Sequence, residues 1–183
     1  MINYKFISDS IEYYQDFGFK RIESPWTVSK YIDDLTKPKD ITSFQLKHND
    51  KCLVASGEQS FLYLYLKEFL PLGQFQTTTP CFRFETFDYY HSKYFIKNEL
   101  IKTDIVNSYE LEKIVNLCLN FFKKFIPQSE VKQTNIGFDI VYKEFELGSY
   151  GVRECEFLKW IYATGCAEPR LSKIVKVIEN GLP

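Results

Sequence analysis

The clearest hydrophobic periodicity in the chain runs through residues 109–126 and predicts an amphipathic helix. Apolar residues recur there at helical spacing: Leu111, Ile114, Val115, Cys118, Phe121, Phe122 and Phe125. Side chains at this spacing share one face of a helix, and that face can pack against a sheet. We assign the segment a structural role, with Cys118 as a buried thiol.

Shorter patterns predict the remaining elements. Helices are expected at residues 8–17, 28–35, 60–69 and 168–180. Strands are expected at residues 19–24, 43–46, 52–55, 74–84, 94–101, 136–142, 145–148 and 157–163. Gly18 suits the end of the first helix, and Pro25 suits the end of the strand that follows. Because many of these strands form hairpins and helices are few, the pattern predicts an α+β fold, an antiparallel β-sheet flanked by helices.

The predicted hairpin of strands 74–84 and 94–101 gathers chemically distinct side chains. Arg83 and Glu85 alternate along the first strand and so share a face, while His91 and Phe95 open the second. A guanidinium can fork onto phosphate oxygens, and an aromatic ring offers a flat apolar surface to a base. The set therefore suits a nucleoside triphosphate. The residues alone leave a second interpretation open, an ordinary amphipathic hairpin whose charges are solvated.

Composition narrows the class of protein. A length of 183 residues predicts a single domain over 1–183. The net charge of −1 argues against a large nucleic-acid footprint, so DNA binding is not expected. No apolar run approaches the roughly 20 residues of a membrane helix, and residues 1–20 lack a signal-peptide pattern; we expect no membrane partner and a cytoplasmic location. The chain has five cysteines: Cys52, Cys81, Cys118, Cys155 and Cys166. We expect them to be reduced, mostly buried thiols, and a metal site is the less favoured alternative.

The order and spacing of the hairpin residues resemble motif 2 of the class II aminoacyl-tRNA synthetases, Phe-Arg-x-Glu, a short loop, then His or Arg-x-x-x-Phe. Here the motif stands as Phe82-Arg83-Phe84-Glu85 and His91-Ser92-Lys93-Tyr94-Phe95, with Glu99 where the family often has a further acidic residue. The resemblance implies that these residues bind ATP. Arg83 would contact the α-phosphate and the substrate carboxylate. Glu85 would contact the adenine amino group, His91 the γ-phosphate, and Phe95 one side of the base.

Two further segments resemble motifs 1 and 3 of the same family. Residues 16–25 resemble motif 1, which builds the dimer interface in that family, so a homodimer is expected. Residues 164–170 resemble motif 3, a Gly-x-Gly-x-x-Arg junction, with Gly165 and Ala167 as the small residues that let a backbone approach the adenine. Arg170 stands at the arginine of this motif and would cover the base opposite Phe95.

The segments beside these motifs add a metal site and a substrate contact. Residues 138–153 resemble the acidic strand pair of the aspartyl, asparaginyl and lysyl subgroup, which implies that Glu146 and Ser149 hold Mg²⁺. Tyr150-Gly151 departs from the Gly-Ser that the subgroup has there. Residues 53–59 resemble the Thr-x-Glu loop, which implies that Glu58 receives the ammonium of an amino acid. Glu58 also suits a first helical turn, where the helix dipole favours an acidic residue.

The three motifs stand in the family's order, which implies an ATP-dependent ligase that forms an aminoacyl-adenylate. ATP and Mg²⁺ would be the cofactors, and Arg83 and Arg170 the catalytic residues. The chain shows no anticodon-binding domain, so we expect a non-standard acceptor, either a protein, a carrier or a small molecule; tRNA is possible but disfavoured. Two alternatives stay open: a catalytically silent dimeric binding or regulatory module, and a minimal tRNA-charging enzyme.

Overall fold

The computed structural model describes residues 1–37, 42–84 and 92–181. Within them the chain forms five helices: α1 (Tyr4–Asp16), α2 (Lys30–Thr36), α3 (Gly57–Leu66), α4 (Ser108–Lys123) and α5 (Arg170–Glu179). The same residues form nine strands: β1 (Lys20–Arg21), β2 (Thr27–Ser29), β3 (Lys51–Leu53), β4 (Gln74–Phe82), β5 (Tyr94–Lys102), β6 (Glu130–Thr134), β7 (Gly137–Tyr142), β8 (Phe145–Cys155) and β9 (Leu158–Glu168). No helix among them has the length and apolar character to cross a membrane.

Seven of the strands form one sheet, in the order β1-β4-β5-β9-β8-β7-β6. β1 pairs with β4 in parallel, and all the other neighbours in this sheet are antiparallel. β2 and β3 form a separate antiparallel pair. This mostly antiparallel sheet with flanking helices confirms the α+β class predicted from the sequence.

Alternation along β5 shows how the sheet comes to have one covered face and one partly open face. Leu100 lies in the main core, beneath α1, α4 and α5. Ile101 lies in a smaller core on the opposite face, beneath α2 and α3. Since side chains alternate along a strand, Glu99, Lys97 and Phe95 share the face of Ile101. These three residues line a cavity next to α3.

Side-chain caps begin four of the helices, α1 to α4, and the cap on α3 lies in the wall of the cavity. The side chain of Asn3 accepts from the Lys5 amide at the start of α1, and that of Asn107 accepts from the Glu110 amide at the start of α4. At the start of α3, Ser56 Oγ accepts from the Glu58 amide at 3.2 Å. Such caps satisfy amides that have no partner inside the helix. The cap on α3 therefore fixes the turn that carries Glu58.

Several observed elements differ from the predicted ones for identifiable reasons. β8 and β9 run for 11 residues each, because Gly148, Gly151 and Gly165 lie inside strands instead of ending them. The helix expected at 28–35 begins only at Lys30, since residues 27–29 pair with β3. The strand expected at 19–24 shortens to β1, and residues 42 and 45 form only isolated bridges. β6 was not predicted, because its exposed residues carry no hydrophobic alternation.

Candidate active site

A cavity of about 280 Å³ lies on the open face of the sheet, beside the first turns of α3 and α5. All the predicted site residues that the structure describes line this cavity: Glu58, Arg83, Phe95, Glu146, Ser149 and Arg170. The predicted contacts of Glu85 and His91 lie outside the described residues. The fold thus brings together side chains from the segments that resemble the Thr-x-Glu loop, motif 2, the acidic strand pair and motif 3.

Arg83 follows directly after β4 and lies beside Phe95. Its Nε donates to the Ala55 carbonyl at 3.1 Å, and its Cζ is 5.2 Å from the centre of the Phe95 ring. The pairing of Cys81 with Phe95 across the β4–β5 hairpin places the two side chains close together. A cation over an aromatic ring is electrostatically favourable. The contact holds the guanidinium at the end of β4 and the start of β5, where the sequence predicted a phosphate contact.

Glu99 is a buried ionised group in the wall of the cavity. Its carboxylate accepts from Ser56 Oγ at 2.7 Å, from the Gly57 amide, and from Lys97 Nζ at 2.7 Å. Burial by itself would raise the pKa of Glu99, but the neighbouring Lys97 cation and the Ser56 hydrogen bond hold that pKa below its ordinary value. Glu99 is therefore ionised and neutralised by Lys97, and it ties β5 to the start of α3.

Both carboxylate oxygens of Glu58 already have partners. Arg153 Nη1 lies 2.6 Å from Oε2, and Trp160 Nε1 donates to Oε1 at 2.6 Å. Burial raises the pKa of Glu58, and the Arg153 cation and the Trp160 hydrogen bond offset part of that rise. Arg153 also covers the Tyr162 ring, with its Cζ 4.4 Å from the ring centre. The predicted ammonium receptor is thus an ion-paired group in this structure.

The sequence pattern indicated no role for Arg153, Trp160 or Tyr162. Arg153 faces Trp160 across the β8–β9 pair, and Tyr162 pairs with Gly151. Positions 149, 151 and 153 share one face of a strand. Extending the predicted strand past Gly148 would therefore have placed Arg153 on the same face as Ser149, but a glycine is usually a strand-end signal.

Arg170 also lines the cavity, where it contacts Glu146. Its Nη1 is 3.3 Å from both the backbone oxygen and the Oε1 of Glu146. The resemblance implied that Arg170 and Phe95 lie on opposite sides of an adenine. Both residues line the cavity, but the guanidinium over Phe95 is that of Arg83. The predicted stacking therefore requires Arg83 to leave the Phe95 ring to the base and Arg170 to exchange its contact with Glu146 for a contact with the base, and it stays a prediction.

Glu146, Ser149 and Asp139 form a set of oxygen ligands suited to Mg²⁺. Asp139 and Ser149 face each other across β7 and β8. Burial raises the pKa of Asp139, a hydrogen bond with Ser149 lowers it, and the charge of Glu146 raises it again. Among the described residues, no three His, Cys, Asp or Glu side chains form a metal cluster by themselves. Because Mg²⁺ in nucleotide sites uses one or two carboxylates with phosphates and water, two carboxylates and a hydroxyl still fit it.

The small size of Gly165 has a different cause from the one that the motif implied. A Cβ at Gly165 would lie 2.7 Å from the Tyr14 ring of α1 and 3.0 Å from the Asn98 carbonyl. Tyr14 also donates to the Gly165 carbonyl at 2.9 Å. Gly165 is therefore small because α1 packs against β9 there, which corrects the expectation that it makes room for adenine. Ala167 does line the cavity.

The segment at 16–25 has less exposed apolar surface than its sequence suggested. Phe19 is buried beside Tyr14, and Ile22 is half-buried. Phe17 is 54% exposed. Of the three apolar residues that motivated the dimer, Phe17 alone is well exposed, so the homodimer stays a prediction that now depends on Phe17.

No protein-family model and no curated protein sequence matches the chain. Solved structures do match it. Pyrrolysyl-tRNA synthetase from Desulfitobacterium hafniense aligns over 97% of this chain and 69% of its own, with 16% identity and a TM-score of 0.72. Seryl-tRNA synthetase from Pyrococcus horikoshii, complexed with ATP, aligns over 95% of this chain and 49% of its own, with 15% identity and a TM-score of 0.73.

A third structure, cytoplasmic serine-tRNA ligase from Naegleria fowleri in complex with AMP, gives 16% identity and a TM-score of 0.67 over 94% of this chain and 52% of its own. The chain therefore spans about half of the two serine enzymes and about two thirds of the pyrrolysyl enzyme. These neighbours do not confirm the expected aspartyl, asparaginyl and lysyl subgroup. They do show that the chain has the fold of the class II aminoacyl-tRNA synthetase catalytic domain.

Proposed function

We propose that this chain is an ATP-dependent ligase that activates a carboxylic acid as its adenylate. The observation that carries the proposal is the meeting of Arg83, Phe95 and Arg170 in one cavity, beside the oxygen ligands of β7 and β8. The carboxylic acid is an amino acid, either free or substituted at its amino group, or the corresponding α-hydroxy acid. Two neighbours in the fold are complexed with ATP or AMP, which supports nucleotide binding.

The reaction joins the substrate carboxylate to the α-phosphorus of ATP. A carboxylate oxygen forms a bond to this phosphorus, the bond to the bridging oxygen breaks, and pyrophosphate leaves with the electron pair. Arg83 would hold the carboxylate and the α-phosphate together and stabilise the charge that develops between them. Phe95 would orient the base by stacking. No nucleophilic side chain is required for this step.

Asp139, Glu146 and Ser149 would hold Mg²⁺, with phosphate oxygens and water completing the shell. The ion would supply positive charge that offsets the negative charge of the phosphates. A divalent cation would also relieve the repulsion by Glu146 that raises the pKa of Asp139. With Glu146 assigned to the ion, Arg170 would be available to bind the nucleotide.

The acceptor that we propose for the activated acyl group is a protein, a carrier or a small molecule. Binding of tRNA depends largely on clustered cations that displace counterions from phosphates. The net charge of −1 makes that contribution small. An acceptor nucleophile that meets the adenylate at the open face of the sheet requires no such surface. Minimal charging of tRNA is the less favoured alternative.

A catalytically silent binding module is the second candidate function, and one observation favours it. The charges of the cavity pair with one another, Glu99 with Lys97 and Glu146 with Arg170. Paired charges of this kind stabilise a fold without any substrate. The two candidates differ in whether ATP reacts in the cavity.

The experiment that separates them is exchange of labelled pyrophosphate into ATP, screened over amino acids and their N-substituted derivatives. We expect Mg²⁺-dependent exchange with one class of carboxylic acid. Arg83→Ala should abolish most of it, and Arg21→Ala, which removes an exposed arginine on β1, should not. ATP binding without exchange for any acid would support the silent module.

A further inference from the structure

Glu58 and Arg153 form an ion pair in the cavity wall, and Arg153 is its more exposed member. The side chain of Arg153 is 34% exposed, whereas that of Glu58 is 6% exposed. The two oxygens of Glu58 are each bonded at 2.6 Å, one to Arg153 and one to Trp160. A positively charged substituent on a substrate would therefore meet the guanidinium before it reached the carboxylate.

Arg153 is held in this position from two sides. Glu58 binds its Nη1, and the Tyr162 ring lies 4.4 Å from its Cζ. An ammonium that paired with Glu58 would lie beside the guanidinium of Arg153, whose positive charge would repel it. A guanidinium has five N–H donors, of which Glu58 uses one. Arg153 can thus donate to a hydrogen-bond acceptor on a substrate while it stays paired with Glu58.

The remaining carboxylates among the described lining residues are also matched by donors. Glu99 accepts from Ser56, Gly57 and Lys97. Glu168 accepts from the Asn3 amide and from the amide and hydroxyl of Ser172. Glu146 contacts Arg170 and belongs to the proposed metal site. Among the described lining residues, Glu58, Glu99 and Glu146 therefore each pair with a cation, and Glu168 has three neutral donors.

The loop before α3 places these groups near the proposed carboxylate contact. Arg83 Nε donates to the carbonyl of Ala55, three residues before Glu58. Arg83 and the Glu58–Arg153 pair therefore flank the same short loop. Since Arg83, Glu58 and Arg153 line the same cavity, a carboxylate held by Arg83 can place the substituent on its α-carbon next to this pair.

We propose that the activated substrate is a carboxylic acid whose α-substituent accepts a hydrogen bond and carries no positive charge, and that Arg153 sets this preference. N-acylated amino acids and α-hydroxy acids have this chemistry, whereas free amino acids carry an ammonium. The inference rests on the proposed adenylation function. It replaces the expectation that Glu58 receives an ammonium.

The test measures pyrophosphate exchange by the wild-type chain with three matched series of acids. These series are free amino acids, their N-acetyl derivatives and their α-hydroxy analogues. We expect kcat/KM to be at least tenfold higher for one of the two uncharged series than for the free amino acids. Higher kcat/KM for the free amino acids would overturn the inference and leave the adenylation function standing. No exchange with any series would overturn both.

The variant Arg153→Met tests the assigned residue. Methionine keeps apolar contact with Tyr162 but leaves Glu58 without its cation. We expect the preference for uncharged substituents to fall at least tenfold or reverse, because an ammonium can then pair with Glu58. Lys159→Met is the matched control, since it removes an exposed cation of β9 whose ion-pair partner among the described residues is Glu154, at 3.5 Å. An unchanged preference in a folded Arg153→Met variant would contradict the role of Arg153. If that variant fails to fold, the ranking of the three series by the wild type still decides the substrate class.

Discussion

Arg83 and Arg170 carry the positive charge that the proposed transition state needs most. Replacing either residue by alanine should cost on the order of 2–4 kcal/mol of transition-state stabilisation. That loss corresponds to kcat/KM values roughly 30- to 1,000-fold lower in pyrophosphate exchange. Arg21→Ala is the control for removing an arginine. Full activity in Arg83→Ala that folds normally by circular dichroism would show that the cavity is not the site of activation.

Glu99 gives a prediction for stability as a function of pH. Its pKa in the folded chain lies below the ordinary value of 4.5, since Lys97 and Ser56 outweigh the effect of burial. Its ionised form therefore adds stability above that pH, and this stability is lost as the pH falls through the folded pKa. Glu99→Gln should lose less free energy of unfolding than the wild type between about pH 6 and about pH 3.

Urea denaturation at several pH values measures this difference. Glu130→Gln, which changes an exposed carboxylate of β6, should follow the wild type. If Glu99→Gln and the wild type lost the same free energy over this range, Glu99 would not be the ionised partner of Lys97.

Residues that occupy fixed places in a motif could be predicted from the sequence, and residues that depend on pairing between strands could not. Arg83 and Phe95 stand in one hairpin at a diagnostic spacing, and the cavity contains both. The partners of Glu58 come from β8 and β9, about a hundred positions later in the chain. The β8–β9 pairing sets Arg153 opposite Trp160, and the packing of α3 on the sheet brings Glu58 to them, so the contact does not follow from the pattern of any one segment.

At the scale of elements, α1 fixes the backbone of β9 through Gly165. A methyl group at this position would overlap the Tyr14 ring, so Gly165→Ala should destabilise the fold by roughly 1–3 kcal/mol. In a Tyr14→Leu background the added cost should be smaller, because the ring is gone. A double-mutant cycle in urea measures this coupling. Additive costs would show that the ring does not limit the space at Gly165.

The helices were easier to predict than the strands, for a physical reason. The amphipathic pattern of α4 is local, and the observed helix agrees with it to within a few residues. A Cβ at the glycines inside β8 and β9 would collide with neighbouring side chains, such as Tyr162 at Gly151, so these glycines serve packing where the sequence suggested turns. The exposed edge strand β6 has no apolar face to reveal it.

At the scale of the whole molecule, residues 16–25 form the interface of the predicted homodimer. Phe17 is its exposed apolar side chain, at 54%, since Phe19 lies in the core. We expect a dimer by light scattering at micromolar concentration and a monomer for Phe17→Asp, because a buried charge would oppose association. Phe69→Asp, at a residue 68% exposed, is the control for adding the same charge elsewhere. A monomeric wild type would contradict this assignment.

The most direct test of the central claim is to follow the oxygen atoms of the substrate carboxylate. The acid that supports exchange is prepared with heavy oxygen in its carboxylate and incubated with ATP, Mg²⁺ and an acceptor amine. Attack on the α-phosphorus followed by acyl transfer leaves one labelled oxygen on AMP, which mass spectrometry detects. We expect labelled AMP with the wild type and little with Arg83→Ala. Unlabelled AMP, or ADP with label in inorganic phosphate, would contradict adenylation in this cavity.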